Sequence, residues 1–160
     1  IETCPEGAVL VMDSRKQAMA ASAGDILITR LMMRGGAGVV TDGGFRDAAT
    51  IAELEMPAYH TRPSSPTNLT NNEAIALNEP IGCGDAPVFP GDIIVGDADC
   101  VIVIPADIAD DCAEEAVQMT AYEDFVIEKV KAGTPIIGLY PRTKDEFLPE
   151  FEAWRKANNR

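Results

Sequence analysis

Two glycine pairs divide the stretch Gly24–Asp47, GDILITRLMMRGGAGVVTDGGFRD, and limit what can lie between them. Glycine ends helices and opens tight turns because it adopts positive φ without steric cost. Ahead of the first pair, Asp25 stands in a first-turn position, and Ile26, Leu27, Leu31 and Met32 recur at helical spacing. Residues 24–34 therefore predict a helix, stopped by Gly35-Gly36. Between the pairs, Ala37 to Thr41 predicts a short buried strand, and Asp42-Gly43-Gly44 a turn. Asp47 to Glu55 predicts a short helix that ends before Pro57.

The flanks extend the same alternation less regularly. Gly7–Asp13 is an apolar run closed by an acid and predicts a buried strand; Ser14–Ala23 reads as a loop. Ala58–Thr61 predicts another strand, and the proline- and asparagine-rich stretch 62–72 a loop. Glu73–Leu77 and Pro80–Cys83 read as strands around an Asn-Glu turn. Residues 84–92 are a turn-rich connection, followed by a hairpin of Ile93–Gly96 and Val101–Ile104 across Asp97–Cys100. Ala106–Lys131 is the longest helical pattern, with Ile108, Cys112, Ala116, Met119, Val126 and Val130 near helical spacing. Thr134–Pro141 reads as a loop or short strand, and Lys144–Lys156 predicts a helix carrying Phe147, Phe151 and Trp154. The order is mixed α and β, without the strict alternation of a doubly wound sheet. Residues 1–143 are expected to form one domain and 144–160 a helical arm. The chain opens on Ile-Glu-Thr-Cys, without an initiator methionine, and runs at once into apolar sequence; this predicts a piece of a longer polypeptide.

Composition narrows the partners. The formal net charge is -13 over 160 residues, which repels nucleic-acid phosphates and anionic membranes, so neither is expected as a partner. A site for an anionic substrate then needs local positive potential: an arginine, a metal ion or a helix N-terminus. Cys4, Cys83, Cys100 and Cys112 show no paired spacing, which argues against a zinc site or disulfide scaffold and suits a reducing cytoplasm. Cys83 and Cys100 are expected to be buried thiols.

Arg46-Asp47 follows the second glycine pair. Arginine forks onto a carboxylate, and aspartate suits a hard divalent cation through water, so the pair can flank one ligand. The plainer reading is a surface pair in which Asp47 caps the next helix, and these residues alone favour it. The helix start at Gly24, Asp25, Ile26 and Leu27 is a ready anion site, although most helix starts bind nothing. The glycines at 35, 36 and 38 fit neither a dinucleotide fingerprint nor a P-loop. His60, the sole histidine, lies in an apolar run without a nucleophile context and is expected to be structural.

The stretch Gly24–Asp47 resembles the signature of the RraA-like family, a GE-LL helix start followed by a DG-x-x-RD turn. PIGCGDAPVFPGDIIVGDADCVIVIP resembles its second signature, and YPRTKDEFLPEFEAWRK is similar to the tails of longer members. The family contains metal-dependent pyruvate aldolases acting on 4-hydroxy-4-methyl-2-oxoglutarate and 4-carboxy-4-hydroxy-2-oxoadipate, and also the regulator of ribonuclease E activity A. The resemblance implies a swivelling β/β/α sandwich of the α/β class over residues 1–143, assembled as homotrimers or homohexamers. It also implies an N-terminal segment in other members that this sequence lacks.

By the same resemblance, the amides of Gly24, Asp25, Ile26 and Leu27 bind the carboxylate of a 2-oxo acid. Arg46 binds substrate and the developing enolate, Asp47 holds Mg2+ or Mn2+ partly through waters, and Asp25 positions water for proton transfer. A glutamate from a neighbouring subunit's helix joins the site, with Glu123 and Glu128 as candidates. Two positions depart from the pattern: Thr50 stands where the aldolases carry an acid that helps hold the ion's water shell, and Cys100 where the hairpin usually has glycine. The implied activity is retro-aldol cleavage of 4-hydroxy-2-oxo diacids or oxaloacetate decarboxylation. The alternative is a non-catalytic regulator of ribonuclease activity, working through an acidic surface on a basic partner segment; Thr50 and the net charge favour it, whereas the Arg46-Asp47 pair favours the lyase. A methyltransferase is rejected, because no glycine loop of the S-adenosylmethionine type follows a strand.

Overall fold

The computed structural model describes all residues, Ile1 to Arg160. Contacts gather into two compact units, Ile1–Ala106 and Asp107–Arg160. The boundary expected at 143/144 falls inside the second unit, because the long helix and the C-terminal helix share one apolar cluster.

The first unit begins with β1 (Val9–Met12), β2 (Ala21–Ala23), α1 (Asp25–Met33), β3 (Gly38–Thr41), β4 (Gly44–Phe45), α2 (Ala48–Ile51), β5 (Ala58–Tyr59) and β6 (Arg62–Pro63). These strands form two parallel sheets of order β1-β3-β5 and β2-β4-β6. The chain alternates between the sheets, and each parallel step is made through a connection, as parallel pairing demands. α1 forms where the sequence predicts it and ends at Gly35, whose φ of 82° is the left-handed geometry of a helix stop. β3 is buried at every residue.

The apolar cluster of this unit joins Ala23, Ile28, Leu31, Val39, Phe45, Ile51 and Met56. Burial of these side chains stabilises the unit by roughly 1.5–3 kcal/mol for each large one. α1 buries Ile28 and Leu31 and leaves Ile26 75% exposed, so its inner face is rotated from the one the Ile26–Leu27 spacing implied.

Several expectations change. β2 lies within the stretch read as a loop, β4 begins at the last residue of the 42–44 turn and β6 at the start of the 62–72 loop; each has only two or three residues, too few to show a period of two. Glu73–Leu77 forms no strand. The hairpin is instead β7 (Ile81–Cys83) with β8 (Ala86–Val88), joined by Gly84-Asp85 with Gly84 at φ 62°. A two-residue loop with glycine first is a favoured hairpin turn. β9 (Ile93–Gly96) and β10 (Val101–Ile104) pair antiparallel as expected. Cys100, in the loop between them, is exposed rather than buried, because the loop folds around the Asp97 carboxylate and leaves the thiol outside.

The second unit holds α3 (Ala109–Lys131) and α4 (Leu148–Asn158). Its core is Ala121, Phe125, Val126, Leu139 and Phe151. Phe151 meets Tyr122 edge-on at 5.1 Å, and Tyr122 donates its hydroxyl to the Leu139 carbonyl at 2.6 Å. Of the apolar positions expected to form one face of α3, only Val126 is buried; Met119 is 57% exposed. From Ala109 to Thr120 only Ala109 and Cys112 are even half-buried. No helix is long and apolar enough to cross a membrane.

Candidate functional site

A chain entering a helix leaves its first amides without intrahelical partners. At the start of α1, Gly24 is extended (φ -122°, ψ 179°) and no side chain caps the helix. Ile28 is the first residue to bond back, to the Gly24 carbonyl at 3.2 Å. The amide of Ile26 is taken by the Asp25 carboxylate at 2.7 Å. Of the four amides carried over, three therefore remain for a ligand, and Asp25 is turned onto its own helix start.

Arg46 leaves the end of β4 beside this helix start, its amide bonded to the Ala23 carbonyl at 3.0 Å. Asp47 follows with φ 58° and ψ 34°, in the left-handed region. It occupies the cap position of α2 but makes no side-chain cap bond. Capping, which the local sequence favoured, is therefore not what the carboxylate does. The left-handed backbone turns it back to Arg46, whose Nε donates to Asp47 Oδ2 at 3.1 Å.

Glycine at 24 leaves room for this meeting. A Cβ there would lie 3.1 Å from Asp47 Oδ2 and 3.4 Å from Arg46 Nε and Nη2. Gly24, Arg46 and Asp47 thus converge, with Ile26 and Leu27 exposed at the rim. Thr50 is exposed on α2 and brings no carboxylate.

The base under this corner is polar and closely packed. The Asp42 carboxylate, nearly sealed from solvent, accepts the amides of Ser14 at 2.7 Å, Lys16 at 3.0 Å and Gly84 at 3.1 Å. Ser22 Oγ lies 2.7 Å from both Ser14 Oγ and Thr41 Oγ1, and Thr41 Oγ1 also accepts the Gly43 amide at 3.0 Å. A Cβ on Gly43 would stand 2.5 Å from Ser22 Oγ, so the second glycine pair serves close packing as well as a turn. Sequence reasoning passed over this network, because isolated serines and threonines carry no spacing signal. Burial, and next the charge of Asp42, hold the Cys83 thiol above its ordinary pKa. His60 packs on Phe45 with ring centroids 5.1 Å apart, in keeping with a structural role.

No group of three or more His, Cys, Asp or Glu side chains gathers anywhere in the chain. A caged metal is therefore not offered by protein groups alone. Mg2+ and Mn2+ do not require a cage: one carboxylate, substrate oxygens and water suffice. Asp47 Oδ1 accepts no hydrogen bond, so the donor set fits that mode. Glu123 and Glu128 are both engaged within the second unit, Glu123 with the Tyr140 hydroxyl at 3.1 Å and Glu128 with Trp154 Nε1 at 2.8 Å. The Glu123 bond and charge raise the Tyr140 pKa.

Known proteins align with this architecture. The model of the RraA-like family, described as Aldolase/RraA, matches residues 1–103. The chain belongs to the RraA-like family, and its α/β fold is the family's. Over 103 residues it is 39% identical to a protein of Halalkalibacterium halodurans named "Putative 4-hydroxy-4-methyl-2-oxoglutarate aldolase", covering 62% of this chain and 47% of that one. An uncharacterized protein of Methanocaldococcus jannaschii is 32% identical over 103 residues, covering 63% of this chain and 48% of that one. The chain thus spans about half the length of the curated relatives it matches. Among solved structures, Streptomyces coelicolor RraAS2, described as an unusual member of the RNase ES inhibitor RraA protein family, superposes with a TM-score of 0.74 at 29% identity, over 80% of this chain and 65% of that one. An uncharacterized Pseudomonas syringae protein shares the fold with a TM-score of 0.81 at 23% identity, over 87% of this chain and 70% of that one.

Proposed function

We propose that this chain carries the pyruvyl-binding corner of a divalent-metal-dependent lyase acting on 2-oxo acids. The favoured reactions are retro-aldol cleavage of a 4-hydroxy-2-oxo diacid to pyruvate and decarboxylation of oxaloacetate. The observation that carries the reading is the approach of the Arg46 and Asp47 side chains to Gly24, where both lie within 3.4 Å of the place a Cβ would take. It brings an uncapped helix start, a guanidinium and a carboxylate together, the three groups a 2-oxo acid and a hard cation need.

In this reading the free amides of Gly24, Asp25 and Leu27 hold the substrate carboxylate at the positive end of α1. The Arg46 guanidinium faces the 2-oxo oxygen and stabilises the charge that grows there as the C3–C4 bond breaks. The bond's electron pair passes to C3, giving the pyruvate enolate, while a water beside Asp25 takes the 4-hydroxyl proton and later returns a proton to C3. Asp47 Oδ1 would hold Mg2+ or Mn2+, which when bound would supply Lewis-acid stabilisation to the developing enolate. No lysine lies between Gly24 and Asp47, and the scheme needs no Schiff base. The Asp47 bond to Arg46 also sets the guanidinium's orientation. Assembly in three or six copies belongs to the same proposal, and sedimentation velocity tests it.

The deciding experiment is oxaloacetate decarboxylation with and without Mg2+, on the chain and on Arg46→Ala. The reading expects a Mg2+-dependent rate that falls by at least a hundredfold in Arg46→Ala. Equal, metal-independent rates in both would sink it.

A second reading has one specific observation in its favour. Asp107, Asp110, Asp111, Glu114 and Glu115 stand exposed with no basic residue between Ala106 and Tyr122. Such a face suits a basic partner segment, as a ribonuclease regulator would need. Salt-sensitive binding of a basic peptide together with absent lyase activity would select it.

A further inference from the structure

We propose that Asp25 competes with the substrate for the start of α1: its carboxylate holds the Ile26 amide, and a 2-oxo acid that binds takes this amide over. The inference rests on the lyase reading and adds an autoinhibitory contact to the same corner. A helix start offers few places to an anion, because only its first amides lack intrahelical partners. In α1 these belong to Asp25, Ile26 and Leu27, since Ile28 already bonds to the Gly24 carbonyl. Asp25 Oδ1 accepts the middle one, that of Ile26, at 2.7 Å. An amide carries one hydrogen, and at this distance it is committed to its acceptor. The group that occupies it is of the substrate's own kind, a carboxylate oxygen. Two carboxylates a few ångströms apart also repel, so the helix start favours one at a time.

Release of Asp25 asks little of the fold. The residue is half-buried, and its carboxylate makes no ion pair and no other hydrogen bond. Arg46, the guanidinium of the corner, bonds to Asp47 instead. Rotation of the Asp25 side chain alone frees the Ile26 amide, because the backbone from Ile28 onward is already bonded. The exchange adds a fourth amide to the three open ones and sets a carboxylate loose beside the substrate. Binding and proton transfer are thereby coupled: Asp25 turns to the water it positions only once the substrate has taken its place. One side chain weakens binding and serves turnover.

The test is calorimetric binding of oxalate, a planar stand-in for the pyruvate enolate, to the full chain at saturating Mg2+, set beside oxaloacetate decarboxylation. Asp25→Ala is expected to lower the oxalate Kd about tenfold, the size of one charge-assisted hydrogen bond removed from competition. KM should fall with it while kcat also falls, a split that a merely structural role would not produce. Asp25→Asn keeps the shape with an uncharged, weaker acceptor, and its Kd is expected to lie between. Glu53→Gln removes an exposed charge elsewhere in the first unit and is expected to leave Kd unchanged; Arg46→Ala is expected to abolish binding. An Asp25→Ala Kd within twofold of the unsubstituted value or above it, with binding lost in Arg46→Ala, overturns the competition and leaves the lyase reading standing. Equal gains in Asp25→Ala and Glu53→Gln overturn it as well, because net charge would then be the cause. Oxalate that binds neither the unsubstituted chain nor Asp25→Ala, or that binds Arg46→Ala equally well, overturns both. If Asp25→Ala fails to fold, Asp25→Asn decides by the same Kd criterion.

Discussion

The backbone at Asp47 offers a sharp quantitative test. Its φ of 58° and ψ of 34° lie in the left-handed region, which costs an L-residue about 1–2 kcal/mol and glycine nothing. Asp47→Ala and Asp47→Gly both delete the same ion pair with Arg46, whose side chains are 42% and 38% exposed. At that exposure and with solvent screening, the pair contributes about 0–1 kcal/mol. Neither substitution removes a cap bond, because none exists. The variants therefore differ in the backbone term alone. Alanine keeps the left-handed strain, whereas glycine relieves it and gives back part of the gain as unfolded-chain entropy. Asp47→Gly should be more stable than Asp47→Ala by about 1 kcal/mol, the reverse of their order inside a helix. Urea unfolding measures the difference, provided the probe reports the first unit. The sole tryptophan, Trp154, lies in the second, so unit-specific amide signals are the proper observable. An Asp47→Ala variant equal to or more stable than Asp47→Gly would refute the claim that a left-handed backbone aims this carboxylate. Both variants should lose Mg2+-dependent oxalate binding, so stability and binding move apart in Asp47→Gly.

Other perturbations are sharply defined too. Gly43→Ala should destabilise the first unit by about 1–3 kcal/mol in urea unfolding, since the new methyl meets Ser22 Oγ and Ser14 within 2.7 Å. Asp42→Ala strips the acceptor from three amides and should cost about 2–4 kcal/mol by the same assay. Cys83, whose raised pKa keeps it a thiol at pH 8, should react with iodoacetamide more slowly than exposed Cys100, and the contrast should vanish in urea. The Asp97 pKa is lowered by the Cys100 and then the Asp99 amides; the loop's stabilisation is therefore present above the ordinary aspartate pKa and lost as pH falls through the lowered one, which a carboxyl NMR titration would detect.

Much of the fold was legible because its signals are local. α1 is bounded by an aspartate and a glycine pair, β3 is continuously apolar, and β9–β10 flank a turn-rich loop. What escaped was set by distant partners. β2, β4 and β6 have two or three residues and exist only because they pair side by side, so no window along the chain contains their cause. Glu73–Leu77 is a short, mostly apolar run but pairs with no neighbouring edge, and Ile75 remains 92% exposed. At the candidate site, Arg46-Asp47 alone looked most like a capped turn. The bias of Asp47 toward Arg46 depends on one dihedral, which residue identity does not encode beyond aspartate's tolerance of positive φ.

The bare first half of α3 implies that one helix runs on two clocks. Around Ala121, Phe125 and Val126 the helix is anchored by core packing, and its amides open only with the second unit. From Ala109 to Thr120 it has little but its own propensity, and isolated segments of that length are marginal in water. Acids at Asp110 and Asp111 favour the positive end of the helix, yet Asp110 with Glu114 and Asp111 with Glu115 repel one turn apart. Added salt weakens both effects, so the balance between helix and coil there is set by the surrounding solution. Proteases that need an unwound substrate should cut this half first and leave the packed half intact.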